Sequence, residues 1–399
     1  MFRFLTFKAK IENPDYHRMK LMHYDSVVAD VVLDVFSNIS VKKVYQPNEL
    51  PVGITMNTLD LITAWRDSRT IPSERLNVME ALRKIGINSS TELTTKAMAL
   101  SFNDAYWLCP GNQTLLWKNI NLFDNRFSEA LGKAFFNPSS ISGEINIKSP
   151  DSTTLGLDAK RWLQSEDGTA YLLKTNVEFP QVACNEVIAS IIAQAINCNA
   201  VQYELRTGSI YYENTERECL FSVCKNFCQP EYEYITLGFA RTLFDKATTQ
   251  QVAEWLLQSP STSENIATMT VLDYLIDNQD RNMHNITLII HNRQIVGIAP
   301  AYDHGNSLWY DSISIRANDD HLNKIFRLPN KTMAERVISD GLVPNLNLSN
   351  LHNILYEECL PLLKQHIGTD RATIIIQNID ERRQWLERCI EKVEMNHEV

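Results

Sequence analysis

Asp280 and Asn285 stand in the run Asp280-Arg281-Asn282-Met283-His284-Asn285, a D-x-x-x-x-N spacing, and Asp303 follows in Asp303-His304-Gly305. A carboxylate at the first position can orient a substrate hydroxyl and take up its proton. An amide oxygen at the last can hold a magnesium ion without adding a full negative charge, and the third residue offers a hard oxygen ligand. Together they suit phosphoryl transfer from a nucleotide. Taken alone the spacing says little, because Asp277, Asn278 and Asp280 are favoured turn residues and Asn285 could simply open a strand. The order of parts decides for the chemistry. An apolar helix, TMTVLDYLI, leads into the polar loop DNQDRNMHN. The hairpin NITLII, the turn His291-Asn292-Arg293 and QIVGIAPAYD then carry the chain back, so the second acidic residue returns beside the first.

Such a site needs a lysine on a strand to hold nucleotide phosphates and a glutamate on the next helix to pair with it. Lys174 ends the apolar strand AYLLKTN, and Glu186 lies on the helix read from VACNEVIASIIAQAINC, apolar at i, i+3, i+4 and i+7. On local grounds Glu186 serves equally as a carboxylate near a helix N-terminus; the downstream motif favours the pairing. No G-x-G-x-x-G is present. The turn Ser149-Pro150-Asp151-Ser152-Thr153-Thr154-Leu155-Gly156 could offer phosphate oxygens its backbone N–H groups and the hydroxyls of Ser152, Thr153 and Thr154, and composition suits a solvated loop equally. The segment Val223-Cys224-Lys225-Asn226-Phe227 falls where a linker between lobes would face adenine, which makes Lys225 and Phe227 candidate nucleotide contacts.

The elements around these residues set the architecture. Residues 1–135 read as a small α+β region to which no chemistry can be attached. Short strands around KLMHYDSVVADVVLDV precede two helices, NTLDLITAWRDS and NVMEALRKIGI. Residues 136–228 read as mainly strand with one helix, the stretch SSISGEINIKSPDS included, with a hairpin signal at Glu166-Asp167-Gly168. Residues 229–399 are mostly helical. The fold class expected is α+β: a two-lobed, protein-kinase-like fold with a β-rich N-lobe and a mostly helical C-lobe, behind the small front region.

The chain has 399 residues, 44% hydrophobic and 22% charged, as for an ordinary globular protein. A net charge of −10 argues against a broad nucleic-acid-binding face, so direct nucleic-acid binding is not expected. No apolar run is long enough to span a membrane, and the start MFRFLTFKAK lacks the apolar core of a signal peptide. Eight scattered cysteines suit reduced thiols, and the location expected is cytoplasmic. Cys224 and Cys228, with Cys219 nearby, lack the fourth soft ligand a zinc site needs.

Asp280-Arg281 through Asn285, the hairpin and Pro300-Ala301-Tyr302-Asp303 resemble the HipA-like kinases, whose C-terminal portion carries D-x-x-x-x-N and then P-x-Y-D. Tyr171-Leu172-Leu173-Lys174 resembles that family's ATP-lysine strand, and Asn185-Glu186 its helix glutamate. The motifs span about residues 140–310. Trp65-Arg66-Asp67-Ser68-Arg69-Thr70-Ile71-Pro72 and Asp104-Ala105-Tyr106-Trp107 are similar to a front region found in some such bacterial chains. The resemblance implies ATP and Mg2+ as cofactors, Asp280 as catalytic aspartate, Asn285 and Asp303 as metal ligands, and Lys174 on the phosphates. It implies phosphorylation of serine or threonine in a protein substrate, often by a toxin of a toxin–antitoxin pair, so an antitoxin partner is expected. It also makes Ser149, Ser152, Thr153 and Thr154 candidate autophosphorylation sites. Two departures stand out. The family commonly has a histidine two residues after the aspartate, where this chain has Asn282, with His284 two positions on; and the phosphate loop is poor in glycine.

Two other functions fit parts of the pattern. Small-molecule or lipid phosphorylation would use the same D-R-x-x-x-N and D-H-G residues, although no basic amphipathic helix for a membrane surface is evident. A silent nucleotide-binding scaffold would have no chemical need for all three oxygen-bearing residues.

Overall fold

The computed structural model of the chain describes residues 18–240, 247–313, 315–316 and 320–397; the start MFRFLTFKAK lies outside the described residues. In the front region, β1 (Arg18–His23), β2 (Ser26–Leu33), β3 (Ile39–Val44) and β4 (Tyr106–Pro110) form an antiparallel sheet in the order β3-β2-β1-β4. Alternation in β2 puts Val28, Ala29, Val31 and Leu33 inside, against Trp65 and Tyr106. Three short helices, α1 (Ile62–Asp67), α2 (Val78–Lys84) and α3 (Ser90–Lys96), lie between β3 and β4. Ser89 caps α3 by accepting from Glu92 N at 3.1 Å. Helix α4 (Ala130–Phe136) then packs Leu131, Ala134 and Phe135 with α2.

A second antiparallel sheet follows in the order β5-β6-β8-β7, from β5 (Ala159–Gln164), β6 (Ala170–Thr175), β7 (Tyr203–Tyr212) and β8 (Thr215–Lys225). Its two hairpins are set by local chemistry. Gly168 takes φ +88° in the β5–β6 turn, and Glu213 and Asn214 both take positive φ in the β7–β8 turn. The stretch SSISGEINIKSPDS, expected as strand, is not one: its ordered turns are short 3-10 segments, and Ile141, Ile145 and Ile147 pack on the α2–α4 cluster instead of pairing in a sheet.

Helix α5 (Gln181–Ala195) crosses behind β6. Its positions from Gln181 to Ser190 are all buried, wider than the one-sided stripe its apolar spacing suggests, because sheet and helical lobe both cover it. Ile188, Ile192 and Ile196 join the main core of the C-terminal half.

That half begins with β9 (Glu233–Thr236) and α6 (Leu237–Ala240), and continues through α7 (Thr249–Gln258) and α8 (Ser263–Leu275). A reciprocal cap of Thr248 and Gln251 opens α7. Strands β10 (Thr287–His291) and β11 (Gln294–Ile298) form the expected hairpin, with Asn292 and Arg293 at φ +49° and +63°, and β9 completes a β11-β10-β9 sheet. Helices α9 (Asn330–Ser339), α10 (Leu351–Ile354), α11 (Leu360–Ile367) and α12 (Thr369–His397) close the lobe around Trp309, Phe326 and Leu355. The architecture is α+β and two-lobed, with a front region ahead of it. Among the described residues no helix is long and apolar enough to cross a membrane.

Candidate active site

Lys174 sits near the end of β6, where β5 and β8 flank it, and Glu186 sits on α5 behind the sheet. The two meet: Lys174 Nζ lies 2.9 Å from Glu186 Oε1 and 3.2 Å from Asp158 Oδ2, and it also donates to Asp303 Oδ1. Burial alone would lower the Lys174 pKa, but Asp303, Glu186 and Asp158 outweigh it and hold the group well above the ordinary lysine value. Burial likewise would raise Asp303; Lys174, Lys160 and Arg281 more than offset this and keep its carboxyl well below the usual range. Glu186 is fully buried, and burial pushes it up against the opposing pull of Lys174. Its second oxygen accepts from His304 N at 2.8 Å, so one carboxylate fixes both the lysine and the backbone after Asp303.

Asp303 itself takes φ +60°, a left-handed conformation that costs a non-glycine residue free energy and turns the chain sharply after β11. Gly305 lets the backbone press on α5. A Cβ there would stand 2.5 Å from Val182 Cγ1.

The loop from Asp277 to Asn285 is organised by Arg281, which sequence reasoning passed over. This guanidinium is 1% exposed. It contacts Asp273 on α8 (Nε to Oδ2 3.0 Å, Nη2 to Oδ1 3.0 Å), donates to Asn285 O and Tyr302 O at 2.9 Å each, and meets His304 Nδ1 at 3.0 Å. Burial first, and Arg281 second, push His304 down to about 3, so its ring is neutral and Nδ1 accepts. Helix α8, the loop and the Asp303 turn are thereby joined through one side chain. Asn278 adds a second tie, from Nδ2 to Asp273 Oδ1 at 2.8 Å, and its own Oδ1 accepts from Asp280 N at 2.9 Å.

Asn285 donates Nδ2 to Asp280 O at 2.8 Å, which leaves its amide oxygen as the free end. Asn285 and Asp303 line one cavity of about 270 Å³. Lys160, Lys174, Thr153, Thr154, Lys225 and Phe227 line it too. Asp280 is not part of that lining; it is 29% exposed, with Lys324 Nζ 2.6 Å from its Oδ1. Ser152 does not reach the cavity, because its hydroxyl donates to Ile147 O and is fully buried. Thr153 and Thr154 bond to Leu100 O and Pro150 O, both at 2.7 Å, so these hydroxyls serve first to hold the turn.

Three further contributors were missed. Lys160 on β5 pairs in register with Lys174, is 9% exposed, and has no carboxylate partner among the described residues. Burial, Arg75 and Lys174 lower it to about 8. A buried ammonium that lines the cavity near Asp303 but is held in no salt bridge of its own among the described residues fits an anionic ligand. Arg75 reaches from the front region to the backbone of the Ser149–Gly156 turn, donating to Gly156 O at 2.8 Å and to Thr154 O. Ser101, Phe102 and Asn103, also from the front region, form part of the cavity wall. The region read as having no chemistry therefore helps to shape the site. Only the β5–β6 register could have singled out Lys160, and no local signal marks Arg75.

No family model matches the chain, and no curated protein matches it. Among solved structures it is similar to HipA of Shewanella oneidensis, in a toxin–antitoxin complex with HipB and operator DNA, at a TM-score of 0.52 and 13% identity over 96% of this chain and 99% of that one. It is also similar to the Helicobacter pylori proinflammatory kinase CtkA, at 0.45 and 16% identity, over 65% of this chain and 95% of that one. The chain has the fold of the HipA-like kinases.

Proposed function

We propose that the chain is an ATP-dependent serine/threonine protein kinase of the HipA-like type. The observation that carries this reading is the convergence of Lys174, Glu186 and Asp303 on one ion-paired centre at the wall of a cavity shared with Asn285. A nucleotide fits the donor set: Lys174 and Lys160 would meet its phosphates, the Ser149–Gly156 turn would cover them, and Phe227 and Lys225 would border the base. Asn285 Oδ1 and Asp303 would hold Mg2+, which supplies charge neutralisation between phosphate oxygens when bound. Asp280 aligns the acceptor hydroxyl and receives its proton. Glu186 keeps Lys174 charged and in place.

By likeness to the Shewanella HipA, which was solved with HipB and operator DNA, an antitoxin protein is the proposed partner. With a net charge of −10, any contact with DNA would come mainly through that partner. A cytoplasmic location is proposed with it.

The test is incubation of the purified protein with Mg-ATP, reading ADP release and added phosphate by mass spectrometry. Asp303→Asn should lose ~10²–10³ in turnover, as when a charge-stabilising group leaves a preorganised site, while the fold persists. Equal turnover by parent and variant would refute the assignment. Ser149, Ser152 and Thr153 are at most 5% exposed, so phosphate found there would require the turn to leave its seat.

A further inference from the structure

Within the loop Asp280–Asn285 the one arginine or lysine is Arg281, and its guanidinium is turned inward onto Asp273, two carbonyls and His304. No lysine or arginine of that loop faces the open side of Asp280. Charge arrives there from another element. Lys324 Nζ is 2.6 Å from Asp280 Oδ1, and Asn282 Nδ2 reaches the same oxygen at 3.0 Å.

An exposed lysine–aspartate contact is ordinarily a surface pair worth under about 1 kcal/mol, and Lys324 is half exposed. Its backbone, however, is held firmly. Asn323, just before it, is buried and accepts from Ile325 N at 3.1 Å and Phe326 N at 3.2 Å. This closes a tight turn between the short paired segments Leu322–Asn323 and Leu328–Pro329. Ile325 and Phe326 plunge into the C-lobe core. At the base of the turn Asn330, fully buried, donates Nδ2 to Asn278 O at 3.0 Å, and His321 Nδ1 meets Asp277 Oδ2 at 2.9 Å. Turn and loop are thus tied together at several points, and Lys324 projects from the turn with only its side chain free.

We infer that Lys324 is the acceptor-side cation of the phosphoryl transfer proposed above, on which reading this inference rests. In that transfer the acceptor oxygen bonds to the γ-phosphorus, and the bond from that phosphorus to the β–γ bridging oxygen breaks. Its electron pair leaves with ADP, and the hydroxyl proton passes to Asp280. The anionic phosphoryl group must therefore approach a carboxylate, an unfavourable encounter unless a positive charge lies beside both. Lys174 and Lys160 line the nucleotide cavity, whereas Lys324 does not and stands only at Asp280. Lys324 swings its ammonium between the carboxylate and the phosphoryl oxygens as the group moves across.

The experiment compares the full-length parent with Lys324→Met and Lys324→Arg, each given Mg-ATP, by kcat and KM for ADP release, by calorimetric Mg-ATP affinity, and by Tm. Lys324→Met should lose about 100-fold in kcat while Mg-ATP affinity stays within about threefold and Tm within about 2 °C, as for loss of one exposed pair. Lys324→Arg should recover at least about tenfold over the methionine variant, because charge is what the position supplies. Three results would overturn the inference: a methionine variant near the parental kcat, an arginine variant as slow as the methionine one, or a large Tm loss marking a structural role. An inactive parent would remove the kinase reading and this inference together; an active parent with an equally active methionine variant removes only Lys324.

Discussion

Replacing Arg281 with methionine probes the joint between α8, the loop and the Asp303 turn. The substitution leaves the Asp273 carboxylate, 0% exposed, with the Asn278 amide at 2.8 Å and no cation. Stranding one member of a buried ion pair costs about 3–5 kcal/mol. The carbonyls of Asn285 and Tyr302 also lose a donor, at about 1–3 kcal/mol for each one left unsatisfied. These losses share a single side chain and do not add in full, so about 5 kcal/mol is the working figure. Against a total stability of ~5–15 kcal/mol this is a large fraction. At ~2–4 °C per kcal/mol for a unit of lobe size, Tm should fall by about 10–20 °C. Thermal unfolding followed by the fluorescence of buried Trp309 would read it. Asp273→Leu combined with Arg281→Met removes the stranded charge, and the double variant should be more stable than the sum of the singles by about 2 kcal/mol. A single variant shifted by less than about 3 °C, or strictly additive singles, would refute the idea that Arg281 organises the site.

Three further outcomes follow from the same contacts. With Lys160 lowered to about 8 in the free protein, a bound polyphosphate would raise it, so binding takes up a proton at higher pH. ATP affinity should then fall by up to about tenfold per pH unit above 8, since each unit is worth about 1.4 kcal/mol. Calorimetry in buffers of different ionisation enthalpy would show the uptake, and Lys160→Met should abolish it. Arg75→Gln frees the carbonyls of Thr154 and Gly156 and should weaken Mg-ATP binding about tenfold, read by titration, with little effect on the transfer step once ATP is bound. Gly305→Ala drives a methyl into Val182 on α5 and should destabilise by about 1–3 kcal/mol, measured in urea, and slow turnover by displacing Glu186.

The parts of the site visible in the sequence were those whose meaning lies in order along the chain. Asn285 and Asp303 are separated by a hairpin whose turn and alternation are local features, so their return to one cavity could be read before any contact was known, whereas Asp280, expected beside them, lies outside that lining. Lys174 and Glu186 were legible only through that downstream motif, because a strand-end lysine and a carboxylate near a helix N-terminus have ordinary roles on local grounds. What stayed hidden depends on packing between distant segments. Arg281 looks like any loop arginine until Asp273, Tyr302 and His304 close around it. Lys160 acquires meaning only from the register that sets it opposite Lys174. Residues 139–152 misled for a related reason: Ile145 and Ile147 alternate as in a strand, but with Ile141 they pack onto the α2–α4 cluster instead of pairing in a sheet. In α5 the apolar spacing was right about the helix and understated how completely it is enclosed.

The grip of Arg75 on the Thr154 and Gly156 carbonyls has a practical corollary for anyone seeking a minimal enzyme. Trimming the polypeptide to its two lobes would strip away a guanidinium clamp and the wall formed by Ser101, Phe102 and Asn103. The shortened protein would keep Lys160 and Lys174 in the cavity wall yet lose the brace that holds the Ser149–Gly156 turn. A binder that pries the α1–α3 segment away from the lobes would achieve the same loosening without touching Lys174, Glu186 or Asp303.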